Sequence, residues 1–79
     1  MNDVELSKFK ERIYEPYTEA WTLMKNMRDT EPKDNEFWKK YMDDCYAFRK
    51  KYDTEIGHSI YRVLLDAGSE VYRIAKMQQ

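Results

Sequence analysis

The sequence predicts an all-α fold, a small three-helix up-down-up bundle whose first helix is kinked or broken near Pro16. Apolar residues recur at helical spacing in three segments of the chain. Only two glycines and two prolines occur in 79 residues, so few turns are available for a many-stranded β fold. Short connections make consecutive helices antiparallel. We expect one domain over residues 1–79, because a chain of this length can bury one small core.

The first helix carries a predicted core stripe with Pro16 inside it. The stripe consists of Leu6, Phe9, Ile13, Tyr17, Ala20, Met24 and Met27. A proline cannot donate to the carbonyl of Arg12, at a cost of ~3 kcal/mol, yet the stripe keeps its phase on both sides. The pattern therefore predicts one kinked helix, or two collinear helices with Pro16 in the first turn of the second. The polar residues 29–35 form the first predicted loop.

The second helix begins with a capping residue, Asp34 or Asn35, and runs to about Tyr52. Its aromatic-rich core stripe contains Phe37, Tyr41, Cys45, Phe48 and Tyr52. These five residues lie on one side of a helix, so they are explained by packing between neighbouring helices.

The third helix follows a connection at residues 53–57 and is capped by Asp53 or Thr54. Its predicted core face holds Ile56, Ile60, Leu64, Ala67, Val71, Ile74 and Ala75. Gly68 weakens the middle of this helix by up to ~1 kcal/mol relative to alanine. Such a glycine is tolerable where a neighbouring helix approaches closely.

Apolar residues beside these core stripes form a candidate partner-binding surface. On the second helix they are Trp38, Met42 and Tyr46, with Arg49 on the same side, and on the third helix Tyr61, Leu65 and Tyr72. Trp, Tyr, Met and Arg are enriched at protein interfaces. Two interpretations remain open: the two flanks cover each other at the rim of the core, or they bind a protein partner or a second copy of the chain.

Catalytic and metal sites find little support in the sequence. Cys45 and His58 are the only residues of their types, whereas a structural zinc site needs about four such ligands. Cys45 lies within a core stripe, where a thiol stays protonated and inert. Asp43 and Asp44 are better explained by ion pairs with lysines one turn earlier. We therefore expect no enzyme activity, no cofactor and no small-molecule substrate.

Nucleic-acid binding is the alternative function. It would use Lys39, Lys50 and Lys51 as phosphate contacts. Residues 52–64, YDTEIGHSIYRVL, resemble a helix-turn-helix with Gly57 in the turn. Asp53, His58 and Asp66 fall where that motif needs small or apolar residues. The net charge of −1 provides no long-range attraction for nucleic acid.

The sequence thus favours a small non-enzymatic protein-interaction module, such as a homo-oligomer or an accessory protein of a phage or mobile element. The longest apolar run is three residues, Val63 to Leu65, whereas a bilayer span needs ~20. One cysteine excludes an internal disulfide. We therefore expect a cytoplasmic protein that does not bind membranes.

Overall fold

The computed structural model describes residues 2–78 and confirms the all-α prediction. Helix α1 (Asp3–Phe9) continues through a π-helical segment (Lys10–Tyr14) into α2 (Glu15–Asp29). Helices α3 (Asn35–Lys51) and α4 (Glu55–Met77) follow, and no strand occurs within the described part of the chain. The first predicted loop, residues 29–35, corresponds to the observed connection at residues 30–34.

Pro16 explains why the first helical stretch is divided. It lies in the first turn of α2, where its missing N–H costs least, and its ring is fully buried. In the preceding segment the N–H of Glu15 donates to the carbonyl of Lys10, five residues earlier, as in a π turn. The helical path therefore runs unbroken from Asp3 to Asp29 with its hydrogen-bond pattern altered just before Pro16, which is roughly consistent with the predicted kink or break near this residue.

Side-chain caps fix the starts of α3 and α4. The carboxylate of Asp34 accepts from the N–H of Phe37 at 2.9 Å, and the hydroxyl of Thr54 accepts from the N–H of Gly57 at 2.9 Å. Helix α4 therefore begins at Glu55, inside the connection that was predicted at residues 53–57. Gly57 lies inside its first turn, and only glycine fits there because a Cβ at this position would overlap the backbone carbonyl of Tyr52.

The core lies between α2, α3 and α4, and α4 contacts both of the other helices. Its buried hydrophobic residues are Ala20, Met27, Tyr41, Cys45, Phe48, Ile60 and Leu64. All seven belong to the predicted core stripes. At one end of the bundle, Glu19 of α2 accepts from the hydroxyl of Tyr52 at 2.6 Å and from Lys51 at 3.1 Å. These bonds tie α2 to the end of α3.

The predicted core stripe of the first helix is wrong at its beginning. Leu6, Phe9 and Tyr17 are 49%, 46% and 57% exposed, and Ile74 near the end of α4 is also exposed. The molecule is 53 Å long, whereas the 23 residues of α4 span only about 35 Å. Residues 3–14, here called the N-terminal arm, extend beyond the bundle, so within residues 2–78 no neighbouring helix covers Leu6 and Phe9.

Candidate protein-binding surface

The two predicted flanks meet in the structure along one side of the α3 and α4 pair. We call this surface the α3/α4 face and define it as Trp38, Met42, Tyr46, Arg49, Tyr61, Leu65 and Tyr72. On α3 the apolar members are one turn apart, and on α4 they lie beside the core stripe. The face is therefore one continuous surface built from two helices.

Aromatic pairs join the two helices at both ends of the α3/α4 face. The rings of Trp38 and Tyr72 meet edge to face, with centroids 5.4 Å apart. At the other end, the rings of Tyr46 and Tyr61 lie 6.3 Å apart in a tilted arrangement. Such pairs contribute ~0.5–1.5 kcal/mol beyond the area they bury. They hold the relative position of α3 and α4 and so preform the surface between them.

Burial differs among the members of this face. Trp38, Met42, Tyr61 and Leu65 are half-buried, and Trp38 also contacts the rings of Phe37 and Tyr41. Tyr46 is 51% and Tyr72 is 46% exposed. The half-buried residues contribute to packing at the edge of the core. The two exposed tyrosines leave apolar ring area open to solvent.

A shallow groove of about 450 Å³ lies between the two helices on this face. Trp38, Met42, Leu65 and Tyr72 form its apolar walls, and Tyr41, Gly68 and Ser69 complete its lining. Because Gly68 has no side chain, the groove reaches the Tyr41 ring between the helices. The lining is mainly apolar and has few polar groups, as in surfaces that bind apolar side chains.

A cation lies near each of the two aromatic pairs of the α3/α4 face. The guanidinium of Arg49 is 5.7 Å from the ring centroid of Tyr61, and the ammonium of Lys76 is 5.4 Å from that of Tyr72. Both distances fall within the range of cation–π attraction. These contacts hold positive charge beside an apolar surface, where it can pair with carboxylates of a partner.

A second apolar groove, between α2 and α4, was not predicted from the sequence. It has a volume of about 380 Å³ and is lined by Tyr17, Thr18, Ala20, Trp21, Met24, Ile60 and Val63. Trp21 follows the core residue Ala20 just as Trp38 follows Phe37. A tryptophan directly after a core-stripe position lines each groove, so the same sequence signal could have indicated the second groove.

The surroundings of Cys45 and His58, the two groups considered for catalysis or metal binding, differ from each other. Cys45 is fully buried, and this burial raises the pKa of its thiol. His58 is partly buried, and its Nε2 lies 2.8 Å from a carboxylate oxygen of Asp53. Within residues 2–78, no three His, Cys, Asp or Glu side chains are grouped in a way that could hold a metal ion.

The lysines of the nucleic-acid alternative lie on the exposed side of α3. All three lysines are exposed, and the ammonium of Lys51 also donates to a carboxylate oxygen of Glu19 at 3.1 Å. Acidic residues are interspersed with them, and Lys40 pairs with Asp44 at 3.3 Å. The resemblance to a helix-turn-helix is wrong at its centre, because Gly57 lies within the continuous helix α4 rather than in a turn between two helices.

Comparisons with protein-family models, with curated proteins and with solved structures found no match for this chain. Over the described residues 2–78, the helices are all too short or too polar to cross a bilayer. The geometry of the grooves and their flanking charges is therefore what supports a function.

Proposed function

We propose that the protein is a non-enzymatic helical module that binds another protein through the α3/α4 face. The supporting observation is the apolar groove between α3 and α4, which lies on a face that has an aromatic pair and a cation near each end. Interface anchors are most often Trp, Tyr and Arg side chains around a preformed pocket, and this face contains all three types.

The dimensions of the face indicate the kind of partner it binds. Trp38 and Tyr46 are eight residues apart on α3, a distance of about 12 Å or roughly two helical turns. A short amphipathic segment of a partner protein fits this length, with apolar side chains in the groove. Carboxylates at the ends of that segment would pair with Arg49 and Lys76. The proposed partner is therefore a protein with a short apolar motif flanked by acidic residues.

The two exposed tyrosines provide the test, because they contribute least to the core. We expect the double variant Tyr46→Ser and Tyr72→Ser to stay folded and to lose partner binding, with Kd raised about 30-fold or more, which corresponds to ~2 kcal/mol. Tyr17→Ser is the matched control, because Tyr17 is similarly exposed but lies outside this face. Affinity purification from the native cell, followed by titration of the recovered protein, measures both effects.

Three outcomes are informative. Loss of the partner in the double variant, with retention in the Tyr17→Ser control, would support the proposal. Equal recovery with the wild type and the double variant would overturn it. The third outcome comes from size-exclusion chromatography of the purified chain. A wild-type dimer that is lost in the double variant would identify the partner as a second copy of the chain.

A further inference from the structure

The N-terminal arm presents an apolar stripe that the bundle does not cover. Leu6 and Phe9 are exposed, and Ile13 is half-buried. Leu6 and Phe9, three residues apart in the α-helical part of the arm, lie on one side of the helix, as in the apolar seam of a coiled coil, and Ile13 follows in the π-helical segment. A helix that leaves such a seam open in water exposes surface that another helix can bury.

Charged residues flank this seam in an ordered way. On one flank Asp3 is followed seven residues later by Lys10, and on the other flank Glu5 is followed seven residues later by Arg12. Each flank is therefore acidic towards the start of the arm and basic towards its end. Within residues 2–78, none of these four side chains forms an ion pair in the monomer.

This charge pattern complements itself when a second arm is turned end for end. In an antiparallel pair with Leu6 opposite Phe9 of the second copy, residues of the same flank face each other. Asp3 then faces Lys10 and Glu5 faces Arg12, and the two-fold symmetry doubles both pairs to four. A parallel pair would instead bring Glu5 near Lys10 only, which gives two pairs and leaves Asp3 and Arg12 without partners.

We propose that residues 3–12 are a self-association surface through which two copies of the chain pair their N-terminal arms in antiparallel orientation. The Leu6 and Phe9 side chains of both copies form the seam, and the four ion pairs fix its direction. The two bundles then lie at opposite ends of the paired arms. The α3/α4 face stays free in this dimer, so the proposal does not depend on the proposed function.

The overlap is short, about 15 Å for ten residues, so we expect a weak and reversible dimer. Sedimentation analysis should therefore extend from about 10 µM to about 1 mM protein, a range suited to small transient interfaces. The flanking charges are exposed, and the Debye length is ≈ 8 Å at physiological ionic strength. The experiment should be run at low salt first, where the charge effects are largest.

The seam is tested with the double variant Leu6→Ser and Phe9→Ser. We expect it to be monomeric at concentrations where the wild type is dimeric, with an unchanged melting temperature because neither residue lies in the core. Ile74→Ser is the matched control, because Ile74 is a similarly exposed apolar residue of α4 that lies outside the arm and lines neither of the two grooves described above. The control should keep the wild-type dimer.

The orientation is tested by exchanging charges. Glu5→Lys alone should weaken the dimer at least several-fold, because it places a second positive charge opposite Arg12. Adding Arg12→Glu should restore the dimer if the arms are antiparallel, since residues 5 and 12 then attract again. In a parallel pair the same double variant would keep the repulsion between residues 5 and 10, so no recovery would occur.

Each result decides part of the proposal. A wild-type chain that stays monomeric up to about 1 mM would overturn it, and so would a dimer that survives the Leu6 and Phe9 substitutions. A dimer that depends on the seam but is not restored by the charge exchange would overturn the antiparallel arrangement. The double variant Tyr46→Ser and Tyr72→Ser should leave this dimer intact, which separates the present inference from the proposed function.

Discussion

The ring of Tyr41 occupies the space that a side chain at residue 68 would need. A Cβ added to Gly68 would lie 2.7 Å from Cε1 of this ring. The Tyr41 hydroxyl donates to the carbonyl of Leu64 at 2.6 Å, one turn earlier on α4. The absence of a side chain at residue 68 thus lets α3 and α4 approach closely enough to form a buried hydrogen bond between them.

Gly68→Ala should therefore destabilise the protein although alanine is the better helix former. The substitution gains up to ~1 kcal/mol of helix propensity, whereas overpacking a buried ring costs ~1–3 kcal/mol. We expect a net loss of about 1 kcal/mol in the free energy of unfolding, measured by urea denaturation. The ring cannot move aside cheaply, because its hydroxyl is held by Leu64.

Two controls separate packing from propensity. Ser69→Ala, at an exposed position of the same helix, should leave stability unchanged or slightly higher. In a Tyr41→Leu background the clash is gone, so Gly68→Ala should there become neutral or stabilising. A gain of stability from Gly68→Ala in the wild-type chain would show that the Tyr41 ring yields without cost.

Alkaline pH should destabilise the fold through the same tyrosine. Burial raises the pKa of Tyr41 above its ordinary value, with a smaller effect from nearby Cys45. The folded state then holds the phenolic proton more tightly than the unfolded state does. This contribution to stability is fully present below pH ~10, the ordinary tyrosine pKa, and is lost as the pH rises through the folded-state pKa.

Tyr41→Phe checks this source of pH dependence. The variant lacks the hydroxyl, so it should lose ~0.5–1.5 kcal/mol at neutral pH and show a smaller further loss above pH ~10. Urea midpoints of both proteins across this range measure the difference. If the urea midpoints of the wild type and the variant fall in parallel as the pH rises, the alkaline loss of stability comes from other groups.

Periodicity predicted the helices of this protein well because most of their apolar stripes are satisfied inside the bundle. Phe48 and Leu64 are buried as their spacing indicated, and Asp34 caps α3 as its short side chain indicated. Periodicity failed at Leu6 and Phe9, since it reports which side of a helix is apolar but not whether another helix reaches that side. Whether another helix reaches that side depends on how far the neighbouring helices extend in the assembled bundle.

The α3/α4 face was predictable in part for a related reason. Composition and spacing placed Trp38 and Tyr46 beside the core stripe, but exposure depends on contacts across the helix pair. The structure shows Trp38 against Tyr72 and Tyr46 against Tyr61, pairings that arise only when α3 and α4 are assembled. The close contact of Gly57 with the Tyr52 carbonyl likewise depends on how tightly the chain turns between helices.

The exposed lysines of α3 make a separate prediction about nucleic acid. Because acidic residues are interspersed with them and Lys51 is bonded to Glu19, we expect no mobility shift of DNA or RNA at micromolar protein and low salt. If a shift is seen, the triple variant Lys39→Gln, Lys50→Gln and Lys51→Gln provides the check. Weaker binding in that variant, with a salt slope reduced by about 0.9 per lost contact, would support the nucleic-acid alternative instead.

The labelling rate of the Cys45 thiol should measure unfolding of the protein rather than reactivity of the folded state. Its side chain is fully buried between the helices, and its raised pKa lowers the thiolate fraction further. We expect a thiol reagent to label the folded protein only through transient opening, so the labelling rate should follow the free energy of unfolding. Phe48→Ala removes a buried ring at a cost of ~3–5 kcal/mol and should accelerate labelling by roughly two to four orders of magnitude.

Tyr46→Ala is the matched control for this measurement. Its ring lies one residue after Cys45 on the same helix but is half exposed, so its removal should change the labelling rate far less than loss of Phe48. Mass spectrometry after timed exposure to the reagent gives both rates. Fast labelling of the wild-type chain under native conditions, with no dependence on Phe48, would mean that Cys45 is reached without unfolding and that its assignment as an inert core residue is wrong.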